Sequence, residues 1–465
     1  MPSYFRQLRL PDIGCASYII GGDGECVVVD PRWDAVAQYV GLARRAELEI
    51  TAIVETHTHA DHVSGATRLA DRTGATILIH RNAEARYPHQ DLDDGDEITA
   101  GPYRLQVLYT PGHSFDSISL LVRDTTGVEP ARLLTGDTLF VGDVGRPDLH
   151  KAAGGPAELA GELYHSLHER LLALDDTVEV YPGHLAGSLC GKRIEPEPST
   201  TIGRERRANP SLKIGGEDSF VADILADMPS RPPNMDRIVE INRAGAALAR
   251  PEARHVSPAE AAAMIDEVTI VDGRDHQVAG PAHLAGAINA PISYGQFGLM
   301  VSWLVDGETP LLLVTADEED LADAVDSLMV LGMTNPLYAL DGGPDDWRAA
   351  GLPMAATPVV DVAELARRIE AGEVGDVIDV REASEVETAG TIDGARVVPY
   401  RNLRDRATMP PLREPVAVVC NSGNRSALGA SLLERQRIGA FNVAGGTTAW
   451  EEAGRPIVRP VAQPA

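Results

Sequence analysis

Four short apolar runs in the first half of the chain share one ending. Ile50 to Val54 leads into Thr56-His57-Thr58-His59-Ala60-Asp61-His62, and Leu105 to Tyr109 into Thr110-Pro111-Gly112-His113-Ser114. Arg132 to Thr135 leads into Gly136-Asp137, and Val178 to Tyr181 into Pro182-Gly183-His184. Short apolar runs closed by glycine, proline or threonine predict strands that end in sharp turns. A side chain leaving such a turn clears the sheet edge, so strand ends far apart in sequence can aim at one point. Positions 57–62 alone hold three histidines and an aspartate. That density calls for a metal, and imidazole with carboxylate suits zinc or iron(II).

The second half carries a different pattern, and carries it twice. Helical stretches (Pro258 to Met264; Val362 to Ala371) alternate with short β-rich runs: Thr269 to Val271 and Leu311 to Val314, then Val377 to Val380 and Val416 to Val419. Such alternation predicts parallel sheets with helices on both faces. Val271-Asp272-Gly273-Arg274 parallels Ile378-Asp379-Val380-Arg381, and Asp341-Gly342-Gly343 with Trp347 parallels Ala444-Gly445-Gly446 with Trp450. The aspartates lie 107 positions apart and the tryptophans 103, so a unit of about a hundred residues is duplicated, too long a period for a solenoid.

The copies differ where chemistry is expected. In the second, the strand Val416 to Val419 runs into Cys420-Asn421-Ser422-Gly423-Asn424-Arg425-Ser426, with a helix expected from Ala427 to Leu433. A cysteine at the carboxyl end of a parallel strand, opening onto a helix N-terminus, meets inward-pointing N–H groups that favour a thiolate. In the first copy the corresponding strand ends in Thr315-Ala316-Asp317-Glu318-Glu319-Asp320. Threonine replaces the thiol, and acids fill a loop that would repel anionic sulfur.

Composition narrows the class. A chain of 465 residues implies about three domains, expected at 1–246, 251–355 and 356–465. The net charge of −28 is spread along the chain and disfavours nucleic acid or anionic membrane as partners. No run approaches the roughly 18 apolar residues of a membrane span, and Met1 to Ile20 lacks a long apolar core, so a cytoplasmic protein is expected. Cys15, Cys26, Cys190 and Cys420 are too scattered for a disulfide framework. Cys190, six residues after His184, is expected near the mouth of the metal site with Lys192 favouring its thiolate, able to accept sulfane sulfur. Lys192, Arg193, Arg204, Arg206 and Arg207 form either a solvated helix face or a site for a carrier's carboxylates or phosphates. His80, His89, His165 and His168 read as surface residues.

The H-x-H-x-D-H run with its later histidine, aspartate and histidine resembles the metallo-β-lactamase superfamily, an αββα fold with metals at the sheet ends. Within it the motif resembles the glyoxalase II and persulfide dioxygenase branch. Gly142-Asp143-Val144-Gly145-Arg146-Pro147-Asp148-Leu149 resembles the dioxygenase side. No cysteine stands at a ligand position, which argues against lactamases with thiolate-held zinc. The C-x4-R loop, with Asp379-x-Arg381, Gly445-Gly446 and Trp450 flanking it, resembles the rhodanese sulfurtransferases. The related cell-cycle phosphatases have one more residue between cysteine and arginine, so phosphatase activity is set aside. The first copy looks like an inactive rhodanese.

These resemblances imply one Fe(2+) per chain on His57, His113 and Asp137, with His59, Asp61, His62 and His184 around it. The implied reaction is persulfide dioxygenation to sulfite, with thiosulfate sulfurtransferase chemistry on Cys420 and a role in sulfide detoxification. Cys420 and Arg425 would be catalytic, as would Cys190 if it relays sulfur. Arg146 would face the anionic persulfide, and Asn421, Ser422, Gly423 and Asn424 would cradle the sulfur. Expected partners are a small thiol persulfide (glutathione, coenzyme A or similar), O2, and sulfite or thiosulfate. A homo-oligomer, dimer or tetramer, is expected. The alternatives are a glyoxalase II-type thioester hydrolase with two Zn(2+), where Asp137 bridges the metals, or a sulfurtransferase whose metal domain only binds.

Overall fold

Strand residues alternate between two faces, so a strand buried on both sides feeds two cores at once. The strand Cys15–Gly22 is buried throughout; Tyr18 and Ile20 enter one core and Ile19 another. The computed structural model describes residues 3–10, 12–149, 155–226, 228, 230–407 and 409–459. They form two compact units, Met1–Arg250 with Met329–Met333, and Pro251–Leu328 with Thr334–Ala465.

The first unit has two six-stranded sheets. One runs in chain order: β1 (Tyr4–Leu10), β2 (Cys15–Gly22), β3 (Glu25–Val29), β4 (Glu49–Val54), β5 (Thr76–His80) and β6 (Gln90–Leu92). The other holds β7 (Glu97–Ala100), β8 (Tyr103–Tyr109), β9 (Ile118–Asp124), β10 (Arg132–Leu134), β11 (Glu179–Tyr181) and β12 (Thr200–Thr201), also in chain order across the sheet. Tyr18, Val27, Val54 and Leu78 from the first sheet meet Leu105, Val107, Leu120 and Leu134 from the second in one core. The alternate residues Ile19, Val28, Ile53 and Ile77 pack with Val36, Tyr39 and Leu69 of the helices Val36–Arg45 and Ala66–Thr73. Leu121, Leu133 and Val180 pack with Leu163 and Phe220 of Gly155–His165 and Glu217–Leu225. The result is the expected αββα sandwich.

Each run ends near where its pattern placed it. β8 and β10 are both antiparallel to β9, and β11 is parallel to β10, so the three carboxyl ends share one edge. The loop after β4 reaches that edge through Ile118 N donating to Thr56 O at 2.8 Å. Gly136, with φ +47°, makes the turn before Asp137; a Cβ there would stand 2.5 Å from Thr56 Oγ1.

The second unit contains two five-stranded sheets of the same order. The first is Arg254–Val256, Leu337–Leu340, Leu311–Val314, Thr269–Asp272 and Ile288–Asn289; the second is Val359–Val360, Ala440–Val443, Val416–Val419, Asp376–Asp379 and Arg396–Val397. All pairs are parallel. The helix expected from Ala427 runs Asn424–Arg435, because Gly423 at φ +108° turns the chain into it three residues earlier. Among the described residues, no helix is long and apolar enough to cross a membrane.

Candidate functional site

His57, His113 and Asp137 arrive from three turns and bring one ligand atom each to within 4.8 Å of the others. His113 Nε2 lies 3.4 Å and His57 Nε2 3.8 Å from Asp137 Oδ2. The hydrogen-bond network sets both tautomers. His113 Nδ1 donates to Arg146 O at 2.8 Å. The Thr56 hydroxyl donates to Asp30 Oδ2 at 2.8 Å, which leaves it to accept from His57 Nδ1 at 3.0 Å. Both Nε2 lone pairs therefore face Asp137. Burial pushes the His113 pKa down, keeping it neutral. Burial works to raise the Asp137 carboxyl, but the His184 charge and hydrogen bond outweigh it and hold the group below the usual carboxylate range. Asp137 Oδ1 accepts from His184 Nδ1 at 2.7 Å, while Oδ2 is buried without a hydrogen-bond partner among the described residues. Two imidazole Nε2 atoms and an orphaned carboxylate oxygen fit a cation held by two nitrogens and one oxygen.

His59 stands beside His57, ring centroids 4.3 Å apart, with its Nε2 turned to two carboxylates. Its Nε2 lies 3.1 Å from Glu55 Oε2 and 3.3 Å from Asp30 Oδ1, all buried. Burial opposes its protonation, yet hydrogen bonds to Asp30 and Glu55 raise its pKa well above the ordinary value. Asp61, His62 and His184 form a further cluster, and a fourth member of it went unforeseen in the sequence. Cys15 Sγ lies 3.5 Å from His184 Nε2 and 3.6 Å from both His62 Nδ1 and Asp61 Oδ2. Cys15 thus joins a group able to hold a metal, which the sequence expectation of no cysteine at a ligand position did not include. Burial raises the Cys15 thiol, but the His62 charge and His184 bring it net below its ordinary value. Backbone pairing seats it: Ala16 N donates to Gly183 O and Leu185 N to Gly14 O, both at 2.8 Å. No local spacing signals a partner 169 residues away.

In the second unit Cys420 is buried at the end of its strand. Gly423 N donates to Cys420 Sγ at 3.2 Å, and Ser426 Oγ lies at 3.4 Å. The loop is tied from outside: Thr447 N donates to Cys420 O at 2.7 Å, Gly445 N to Ser422 O at 3.0 Å and Thr448 N to Asn421 O at 3.1 Å. Asn421 Oδ1 accepts from Arg381 Nη1 at 2.7 Å, and Arg381 is fixed by the buried Asp379. Asn424 Nδ2 donates to Ser422 Oγ at 3.2 Å. Arg425 pairs with Glu385 at 2.7 and 2.9 Å, so its charge is neutralised beside the loop. In the first copy Arg274 keeps the pair with Asp272 at 2.6 Å. There Asp317 Oδ1 caps the following helix, accepting from Glu319 N at 3.0 Å and Asp320 N at 2.9 Å, where the other copy presents its cysteine loop.

Residues 10–184 match the metallo-beta-lactamase superfamily, and residues 361–453 match a rhodanese-like domain. An uncharacterized protein of Mycobacterium leprae (strain TN) is 33% identical over 226 residues, covering 43% of this chain and 94% of that protein. The N-terminal part of the chain thus has a metallo-beta-lactamase fold. The mitochondrial persulfide dioxygenase ETHE1 of Homo sapiens is 28% identical over 244 residues, 52% of this chain and 88% of that protein. A metallo-beta-lactamase crystal structure from Staphylococcus aureus subsp. aureus COL is 28% identical, with a TM-score of 0.64 over 73% of this chain and 99% of that one.

Several expectations need correction. The Arg146 guanidinium does not face the centre: it is buried, forms a bidentate pair with Asp148 at 2.7 and 2.8 Å, and donates to Leu189 O at 3.1 Å. Its contribution to the site is the backbone carbonyl that holds His113. Cys190 lies near Asp137 and His184, but at 1% exposure and packed with Ala60, Phe140 and Leu149. Burial pushes its thiol up, and Lys192 Nζ reaches the Asp223 and Ala226 carbonyls, so the expected thiolate is not favoured. His80 is buried, stacked on Tyr109 with ring centroids 4.4 Å apart, not a surface residue. Arg204 pairs with Glu195, and Arg206 and Arg207 with Asp176, which makes them part of a solvated, charge-paired face.

Proposed function

We propose that the first unit is a mononuclear iron(II) dioxygenase of a small thiol persulfide, and that Cys420 carries sulfane sulfur in a coupled sulfurtransferase. The convergence of His57, His113 and Asp137 carries this reading. The Nε2 of His59 is turned to Asp30 and Glu55. A dinuclear zinc hydrolase of the glyoxalase II type would draw on His59 as well, whose ring lies 4.3 Å from that of His57, and the metal count separates the two readings. The likeness to a persulfide dioxygenase and to a rhodanese-like domain supports the same sulfur chemistry.

Iron(II) held by two imidazoles and a carboxylate would supply O2 activation, with positions left for the terminal sulfur of the substrate. The balanced reaction is RSSH + O2 + H2O → RSH + H2SO3, where R is glutathione, coenzyme A or a similar carrier. The chain's own residues orient and manage protons. Arg146 O and the Thr56 hydroxyl keep His113 and His57 in the tautomers that present Nε2. Burial disfavours a protonated His184, yet the charges of Asp137 and, further down, Asp61 raise its pKa well above the ordinary value. It thus holds N–H bonds to both carboxylates and can deliver a proton to the departing thiolate. At Cys420, sulfite attacks the outer sulfur of the cysteine persulfide; the S–S bond breaks, giving thiosulfate and the free thiolate. Tethering raises the effective concentration of the two activities. The first copy, with Thr315 for cysteine, is catalytically silent.

Metal content and O2 uptake with glutathione persulfide test the reading. About one iron per chain is expected from the three-ligand set, with His113→Ala losing iron and O2 uptake but keeping thiosulfate-to-cyanide transfer. Cys420→Ser should lose that transfer, and Thr315→Ala should not. About two zinc ions per chain, with thioester hydrolysis and no O2 consumption, would overturn it.

A further inference from the structure

The cysteine-less copy reaches into the other copy's loop. His276 opens the helix His276–Ala279 that follows Asp272-x-Arg274; the corresponding position in the other copy is Ala383. The ring is 7% exposed, and neither nitrogen has a hydrogen-bond partner among the described residues. Its Nε2 lies 3.3 Å from the point a Cβ would occupy on Gly423, beside Ala444 Cα at 3.2 Å and Gly445 N at 3.3 Å. Gly423 is the residue whose N–H donates to Cys420 Sγ. Asn442 Nδ2 donates to Gly423 O at 3.0 Å, and Asn442 Oδ1 is buried without a hydrogen-bond partner among the described residues. His276, Asn442 and Ser431 line one cavity of about 20 Å³, room for a single bridging water.

The same copy grips the helix that leaves the loop. Asn289 N donates to Ser431 Oγ at 3.1 Å, His283 pairs with Glu434 at 3.0 Å, and Arg435 Nη1 donates to Gly286 O at 2.5 Å.

We propose that His276 is a positioning residue for the sulfur cradle: it braces Gly423 in the left-handed conformation, φ +108°, that aims its N–H at Cys420. Any other side chain at Gly423 would meet the imidazole, and a smaller residue at 276 would leave the loop free to relax. The cysteine-less copy is then retained as half of the active site's framework. This inference rests on the sulfurtransferase reading of Cys420.

The test compares His276→Leu and His276→Gln in the full-length protein. For thiosulfate-to-cyanide transfer, His276→Leu should lower kcat about tenfold, less than direct removal of an oriented donor costs, with KM for thiosulfate within about twofold. His276→Gln, which keeps a polar group near the Nε2 position, should recover kcat to within about threefold of wild type. Amide exchange in the peptide spanning 421–426 should be faster in His276→Leu and near wild type in His276→Gln. Wild-type kcat and exchange in His276→Leu would overturn the proposal, as would a loss carried by KM alone or an equal loss in both variants. If wild type transfers no sulfur, the sulfurtransferase reading falls, and the exchange comparison still decides the bracing.

Discussion

At the scale of single residues, what a histidine does here depends on which neighbour claims its second nitrogen. His57 and His113 give Nδ1 to an oxygen and keep Nε2 for the centre, whereas His59 faces two carboxylates. These fates predict different losses. His59→Ala leaves Asp30 and Glu55 buried without their counter-charge, and removing one partner of a buried pair costs on the order of 3–5 kcal/mol. The melting temperature should therefore fall, while the metal-to-protein ratio of the folded enzyme stays near that of wild type. His57→Ala should do the reverse, a smaller stability loss with loss of metal. Metal analysis of both variants below their melting temperatures checks this; metal loss in His59→Ala would make it a ligand.

At the scale of elements, both sites are turns at the carboxyl ends of strands, and their precision comes from close backbone approach. Gly446, at φ +55°, lies against the cysteine turn so tightly that a Cβ would stand 2.1 Å from Cys420 O. Gly454, at φ +70°, has open space around it. Gly446→Ala and Gly454→Ala should each cost about 1 kcal/mol for the left-handed conformation. Only Gly446→Ala must also move the Cys420 carbonyl, adding on the order of 1–3 kcal/mol and removing most thiosulfate-to-cyanide transfer. Denaturant melts and activity assays of the pair separate conformational cost from clash; equal effects would show that the approach is not tight.

At the scale of the whole molecule, the second unit joins two copies of one design, and the joint includes a titratable pair. Burial works against a charged His283, but hydrogen bonding and charge from Glu434 outweigh it and raise its pKa. Burial likewise works to raise Glu434, which His283 brings below its ordinary value. A raised histidine stabilises fully below its unfolded pKa and loses that contribution as pH rises through the folded one. A lowered carboxylate stabilises fully above its unfolded pKa and loses it as pH falls through the folded one. The pair should contribute most between about pH 4.3 and 6.5, the two unfolded values. His283→Gln should lower stability there by about 1 kcal/mol, since Glu434 is partly exposed. The deficit should vanish at alkaline pH in melts run from pH 4 to 9; a pH-independent deficit would mean that packing, not charge, is lost.

Periodicity and turn residues were enough to locate the strands bearing His57, His113, Asp137 and Cys420, because those signals are local: side-chain alternation, and the glycine or proline that ends a run. The duplication was legible for the same reason, since repeated motifs at a constant offset need no third dimension. Tertiary structure decided everything that depends on which side chains meet across the sheets. It brought Cys15 into the cluster with Asp61, His62 and His184 through backbone pairing with the His184 turn. It turned Arg146 onto Asp148, gave His59 to Asp30 and Glu55, and set His276 against a loop from the other copy. Burial also reversed the reading of Cys190, whose neighbouring lysine suggested a thiolate that an apolar pocket disfavours. Sequence determines what a residue can bind or donate; only the packed chain determines which partner is within reach and how little water is left between them.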